Sequence, residues 1–265
     1  MTWWTGSWEI ALYGGVLAGV LGAVLGSFLN CAAGRMARGE SFLRGRSHCM
    51  SCGHELGARD LIPVVSWVLS RGRCRYCGEK VSARYPLTEL AFGAITLACL
   101  LRFDLTVLGL RNWAFLGCLF CLALVDWESR IIPDGCHVFN LAVWVLALPF
   151  LGWSWQQIGL RVLAGVIFGG GLLGISLVMD KLLGRDSLGG GDIKLVAVIG
   201  LYLGAVGTLF TVILACVLGL LLAAARRGSE EKSIPFGPAL AAAAGTMLLF
   251  GQGPVEWYKA LLGVG

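Results

Sequence analysis

The chain has 265 residues, of which 57% are hydrophobic and only 14% charged, and its mean hydropathy is +0.78. So much apolar side chain exceeds what one water-soluble core buries, and it excludes a disordered chain; the 39 glycines follow no three-residue period, which excludes a collagen-like fibre. The fold class expected is an all-α polytopic membrane protein with about eight transmembrane helices.

The net charge of +5 is concentrated in one place. Ten of the 21 Lys and Arg residues fall between Arg35 and Arg84, against four acids, Glu40, Glu55, Asp60 and Glu79. Cationic loops stay on the cytoplasmic side, which places residues 35–84 inside the cell. No nucleic-acid partner is needed to explain such a block; a membrane lipid surface is the simpler counterpart. Met1 to Glu9 carries no Lys or Arg ahead of its apolar run, a pattern unlike that of a cleavable signal peptide.

In chain order, Ile10 to Gly34 is uncharged and long enough to cross the membrane, running from outside to inside. Pro86 to Leu101 returns outward, and a link holding Arg102, Asp104 and Arg111 leads into Asn112 to Val125. Gly135 to about Gly152 goes out again, and Leu160 to about Leu183 comes back to a cytoplasmic Gly184 to Gly191 segment. Leu195 to Ala225 would measure ~46 Å as one helix, which is too long for one crossing. It would also strand Arg226, Arg227 and Lys232 outside, so two spans are expected with a break at Gly204 to Gly207. A last span, Ile234 to about Gly251, leaves Gly253 to Gly265 as an amphipathic tail.

Two residue groups carry chemistry. The first is Cys49-Met-Ser-Cys52 and Cys74-Arg-Tyr-Cys77, each closed by a glycine, Gly53 and Gly78, inside the basic loop. Disulfides are disfavoured in the cytoplasm, and four thiolates on two tight turns match a tetrahedral four-cysteine zinc site. A rubredoxin-like iron site and a redox dithiol are the alternatives; His48 and His54 are read as solvated loop residues. The other cysteines sit in apolar runs and read as small packing residues.

The second group is carboxylates at membrane depth, which are costly in hydrocarbon and so point to function. Asp126 ends one apolar run, and Asp192 follows Gly189-Gly190-Gly191 at the start of another. The topology puts both at cytoplasmic helix ends, where oppositely directed helices bring them to one depth. Paired carboxylates share a proton, one activating water and the other protonating a carbonyl, which is aspartic-protease chemistry. The glycines admit an extended backbone, and Lys194 either biases the pair or snorkels to the interface. The structural alternatives are an N-cap role for Asp192 and an interfacial pairing of Asp126 with Arg130. Asp134 reads as a turn or N-cap residue, and Asp180 as a helix-end partner of Lys181 and Arg185.

Beyond these groups the chain resembles the prepilin leader peptidases, membrane aspartic proteases of the G-x-G-D class. The resemblance runs through Gly26-Ser-Phe-Leu-Asn30, both cysteine pairs, Ile62-Pro-Val-Val-Ser-Trp67, Arg84-Tyr-Pro-Leu-Thr-Glu89, Asp126-Trp-Glu-Ser-Arg-Ile-Ile-Pro-Asp134 and Gly189-Gly-Gly-Asp-Ile-Lys194. It departs from the usual pattern in the first pair, where a proline often follows the first cysteine.

What the resemblance implies is a bacterial cytoplasmic-membrane enzyme with its N-terminus outside and its active site facing the cytoplasm. Asp126 and Asp192 would cut prepilin or pseudopilin precursors after a glycine; from the residues themselves, Gly189, Gly190, Gly191 and Lys194 are the expected substrate contacts. The cysteine loop implies the larger type, which methylates the new N-terminus from S-adenosylmethionine, with Glu89 holding the ammonium. Three regions are expected: residues 1–34 as the first transmembrane helix, 35–84 as the cytoplasmic zinc-binding loop and methyltransferase region, and 85–265 as the transmembrane aspartic peptidase domain. The rival from another class is a zinc-clamped transporter or assembly scaffold that relays ions through the aspartates.

Overall fold

The computed structural model describes residues 7–42, 45–184, 188–225 and 235–261, the side chain of Lys259 excepted. Arg185, Arg226, Arg227, Lys232, Ile234 and the ends of the chain, all named above, lie outside the described residues. Helices dominate: α1 (Trp8–Ala37), a short α2 (Val65–Leu69), α3 (Arg84–Phe103), α4 (Val107–Ser129), α5 (Asp134–Leu151), α6 (Trp155–Leu183), α7 (Gly190–Ala225), α8 (Gly237–Phe250) and α9 (Gln252–Leu261). The all-α polytopic class therefore stands.

Six helices among the described residues, α1 and α3 to α7, are long and apolar enough to cross a bilayer, rather than eight. The difference lies in the last part of the chain. α7 is one 36-residue element, but its backbone is non-helical at Gly204, with φ 69° and ψ −176°. That left-handed φ suits glycine, so the helix breaks where the sequence places the break. α8 has 14 residues, or ~21 Å, short of a ~30 Å hydrocarbon core. Arg111 is a second correction: it lies inside α4, buried, with its guanidinium donating to Asn112 Oδ1 at 2.7 Å, rather than in a polar link.

The chain falls into two compact units, Met1–Trp113 and Ala114–Gly265, the division lying within α4. In the first, α1 packs along α3 through small residues: a Cβ on Gly93 would stand 2.9 Å from the Gly19 carbonyl. The Arg35 guanidinium, at the end of α1, donates to the carbonyls of Gly45 (3.2 Å) and Arg46 (3.0 Å), fixing the start of the basic loop.

In the second unit α7 packs against α5, α6 and α8. Leu119, Leu122 and Val125 of α4 and Leu195, Val196 and Ile199 of α7 are buried, each set recurring at helical spacing on one face. Asp126 extends the first stripe four residues past Leu122, and Asp192 extends the second three residues before Leu195. Both carboxylates thus occupy inward positions at the ends of core helices.

The break in α7 is capped from its neighbours. Arg161 of α6 donates to the Tyr202 carbonyl at 2.5 Å, and the Trp144 indole of α5 donates to the Leu201 carbonyl at 2.9 Å. These are carbonyls that lose their helical partners when the helix stops. Arg161 also lies 4.2 Å from the Trp153 ring centroid, a cation–π contact.

Candidate active site

Asp126 is buried one turn before the end of α4, and its Oδ2 accepts a hydrogen bond from the Gly237 N–H at 3.1 Å. That N–H belongs to the first turn of α8, whose donors have no partner within the helix, so a carboxylate is a natural acceptor. A Cβ on Gly237 would stand 2.6 Å from the same oxygen, which only glycine avoids. Asp192 is half-buried, and its Oδ1 is enclosed without a hydrogen-bond partner among the described residues.

The corner between α4 and α5 brings the parts together. Lys194 Nζ lies 2.6 Å from Asp134 Oδ1, an exposed ion pair that ties the first turn of α7 to the first residue of α5. Ile132 packs on Gly191, where a Cβ would come within 2.8 Å of its own Cβ. Gly190 has open space above it, and Gly189 faces the Asp192 carboxylate. Of the three glycines, Gly190 alone offers unobstructed backbone.

The structural alternatives fare differently. α7 begins at Gly190, so Asp192 is its third residue and not its N-cap; Pro133 takes the N-cap position before Asp134. The Arg130 backbone N–H donates to the Asp126 carbonyl at 3.0 Å, closing the last turn of α4. Asp180 accepts from the Ser176 hydroxyl at 3.3 Å within α6.

In the first unit, the sulfurs of Cys49, Cys52, Cys74 and Cys77 all lie within 4.8 Å of one another, with Cys49 and Cys77 3.9 Å apart. A tetrahedral zinc with Zn–S of ~2.3 Å requires sulfur separations of ~3.8 Å, so the donor set fits such an ion. Two matching turns build it. The Gly53 and Gly78 N–H groups donate to the Cys49 and Cys74 carbonyls, each at 2.9 Å, and both glycines take left-handed φ of 71° and 75°. The N–H groups of Cys52 and Ser51 draw the Cys49 thiol down to about 6. The Glu79 N–H favours the Cys77 thiolate, but partial desolvation and the three neighbouring sulfurs prevail and push it up to about 12. Four converging sulfur donors form a site suited to a soft cation. The His54 ring lies 3.6 Å from the Tyr76 ring, tilted by 31°, and His48 approaches the Arg46 carbonyl, so neither joins the cluster.

Glu89 is buried in α3, and its Oε2 accepts from the Val64 N–H at 2.7 Å. Val64 precedes α2 with a left-handed φ of 60°, so the carboxylate holds a strained turn in place. Gly237 and Arg161 went unmarked in the sequence. The Pro235-Phe-Gly-Pro238 run is a turn signal that points to Gly237; Arg161 is visible as a lone charge within an apolar run.

Residues 20–103 match the family described as Bacterial Peptidase A24 N-terminal domain, and residues 113–224 match the Type IV leader peptidase family. Among curated proteins, a prepilin leader peptidase/N-methyltransferase of Burkholderia pseudomallei is 35% identical over 219 residues, 78% of this chain and 67% of that protein. Proteins of the same description from Myxococcus xanthus and Bacillus subtilis are 33% and 30% identical, covering 80% and 89% of this chain and 65% and 95% of their own lengths. No solved structure matches.

Proposed function

Since the chain belongs to the type IV leader peptidase family, we propose that it is a membrane aspartic endopeptidase whose catalytic pair is Asp126 and Asp192. The observation that supports this reading is the placement of two inward-facing carboxylates at the ends of α4 and α7, ends joined by the Ile132–Gly191 and Asp134–Lys194 contacts, one carboxylate held by the Gly237 N–H and the other with an enclosed, unpartnered oxygen. With one proton shared between them, the ionised carboxylate takes a proton from water as the water oxygen attacks the scissile carbonyl. The protonated carboxyl meanwhile donates to the carbonyl oxygen. Collapse of the tetrahedral intermediate returns a proton to the leaving nitrogen and breaks the C–N bond.

The substrates are prepilin-like precursors, cut after a glycine on the cytoplasmic side of their single apolar helix. Open space at Gly190 supports an approach of substrate backbone there. The basic loop faces the cytoplasm by the positive-inside rule, with the N-terminus outside. The four-cysteine cluster holds a structural zinc that ties two turns in a loop too small for a large core. The first unit then methylates the new N-terminus from S-adenosylmethionine. Glu89 is the candidate for the ammonium, alongside its contact to Val64. The transporter or scaffold alternative has no observation of its own.

Mass spectrometry of a prepilin incubated with the purified protein tests both steps, since cleavage shortens the chain and methylation then adds a fixed mass. Glu89→Gln keeps an acceptor for Val64 but loses the charge, so it is expected to impair methylation more than cleavage. An unshortened substrate would overturn the peptidase reading.

A further inference from the structure

We propose that α2 and the turn before it form an interfacial membrane anchor, with an apolar ridge that inserts into an anionic lipid surface. Leu61, Ile62, Val65, Val68 and Leu69 all point outward, Val68 with 59% and Leu69 with 70% of its surface exposed. Within α2 the i, i+3 and i+4 spacing gathers Val65, Val68 and Leu69 on one stripe, and Leu61 and Ile62 of the preceding turn are exposed beside it. The anchor side faces the other way: the Trp67 indole donates to the Val81 carbonyl at 3.0 Å and packs over Gly72. The segment is therefore held by its inner side while it presents its apolar side outward, the reverse of what a water-facing loop needs.

Two observations choose the lipid as occupant. The first is depth. Val64, at the start of α2, is tied to Glu89, the sixth residue of α3 and ~7.5 Å along a membrane-spanning helix. Tyr85 and Leu87 of α3 are exposed beside that level, as interfacial and lipid-facing residues are. α2 thus rides beside the first turns of a spanning helix. The second is charge. Arg59, Arg71, Arg73 and Arg75 flank the ridge, and Asp60, the one acid between residues 57 and 75, is neutralised by Arg75 at 3.3 Å. An apolar ridge fringed with arginines is complementary to acyl chains beneath acidic headgroups.

The test places the photoreactive amino acid p-benzoylphenylalanine at Leu69, and separately at Glu79 on the second cysteine turn. The full-length protein is held in nanodiscs of phosphatidylcholine with or without phosphatidylglycerol, in the presence of a prepilin. After irradiation, mass spectrometry is expected to find lipid adducts at Leu69 several-fold above those at Glu79, and more of them when phosphatidylglycerol is present. Adducts with the prepilin, adducts within the chain, or equal lipid labelling at both positions would overturn the proposal. Lipid labelling at Leu69 that ignored phosphatidylglycerol would overturn its electrostatic part. The readout needs no catalysis, so it stands apart from the peptidase reading.

Discussion

At position 237 even a methyl group meets the Asp126 carboxylate, since the nearest oxygen is 2.6 Å from where a Cβ would sit. Gly237→Ala is therefore expected to displace that carboxylate and lower kcat/KM for prepilin cleavage by about tenfold or more, a cost of ~1.4 kcal/mol or above. Its metal content should be unchanged, because the four cysteines belong to the first compact unit and Gly237 to the second. Gly191→Val is expected to act in the same direction by pressing on Ile132. Activity equal to wild type in Gly237→Ala would remove Gly237 from the site. Asp126 and Asp192 were legible in the sequence because a carboxylate at the end of an apolar run is costly wherever the chain folds. Gly237 was not: its role depends on a partner 111 residues away.

Helix α7 was half legible. Its uncharged run is too long for one crossing, which exposes the break, and the left-handed φ at Gly204 confirms its position. What caps the break was hidden, because Arg161 and Trp144 lie 40 and 57 residues from the Leu201 carbonyl they address. Replacing Arg161 by Ala removes a charged donor from the Tyr202 carbonyl in an apolar setting and leaves the Leu201 carbonyl to the Trp144 indole alone. The expected loss is about 1.5–3 kcal/mol, read as a lower thermal midpoint in detergent, with Arg161→Lys recovering part of it. A midpoint unchanged in Arg161→Ala would show that the carbonyls find other donors. Helix number was the least legible feature, since a 14-residue α8 and a kinked α7 obey packing needs that hydropathy alone does not report.

Across the whole chain, the cysteine cluster and the aspartate pair belong to separate compact units, each with buried residues of its own. One zinc per chain is expected by elemental analysis, and Cys74→Ser should abolish its retention. Hydrogen exchange should then rise in residues 45–82 while α7 keeps its protection; iron in place of zinc, or loss of protection in α7, would contradict this. The central claim is that Asp126 and Asp192 act as one catalytic unit. Its most direct measurement is prepilin cleavage by purified wild type, Asp126→Asn, Asp192→Asn and the double variant, each shown to be folded by circular dichroism and zinc content. Each single variant should lose cleavage by about a thousandfold or more, and the double variant should be no worse than either. A single variant that kept about a tenth of wild-type activity, or a double variant that lost the product of both effects, would contradict the pair.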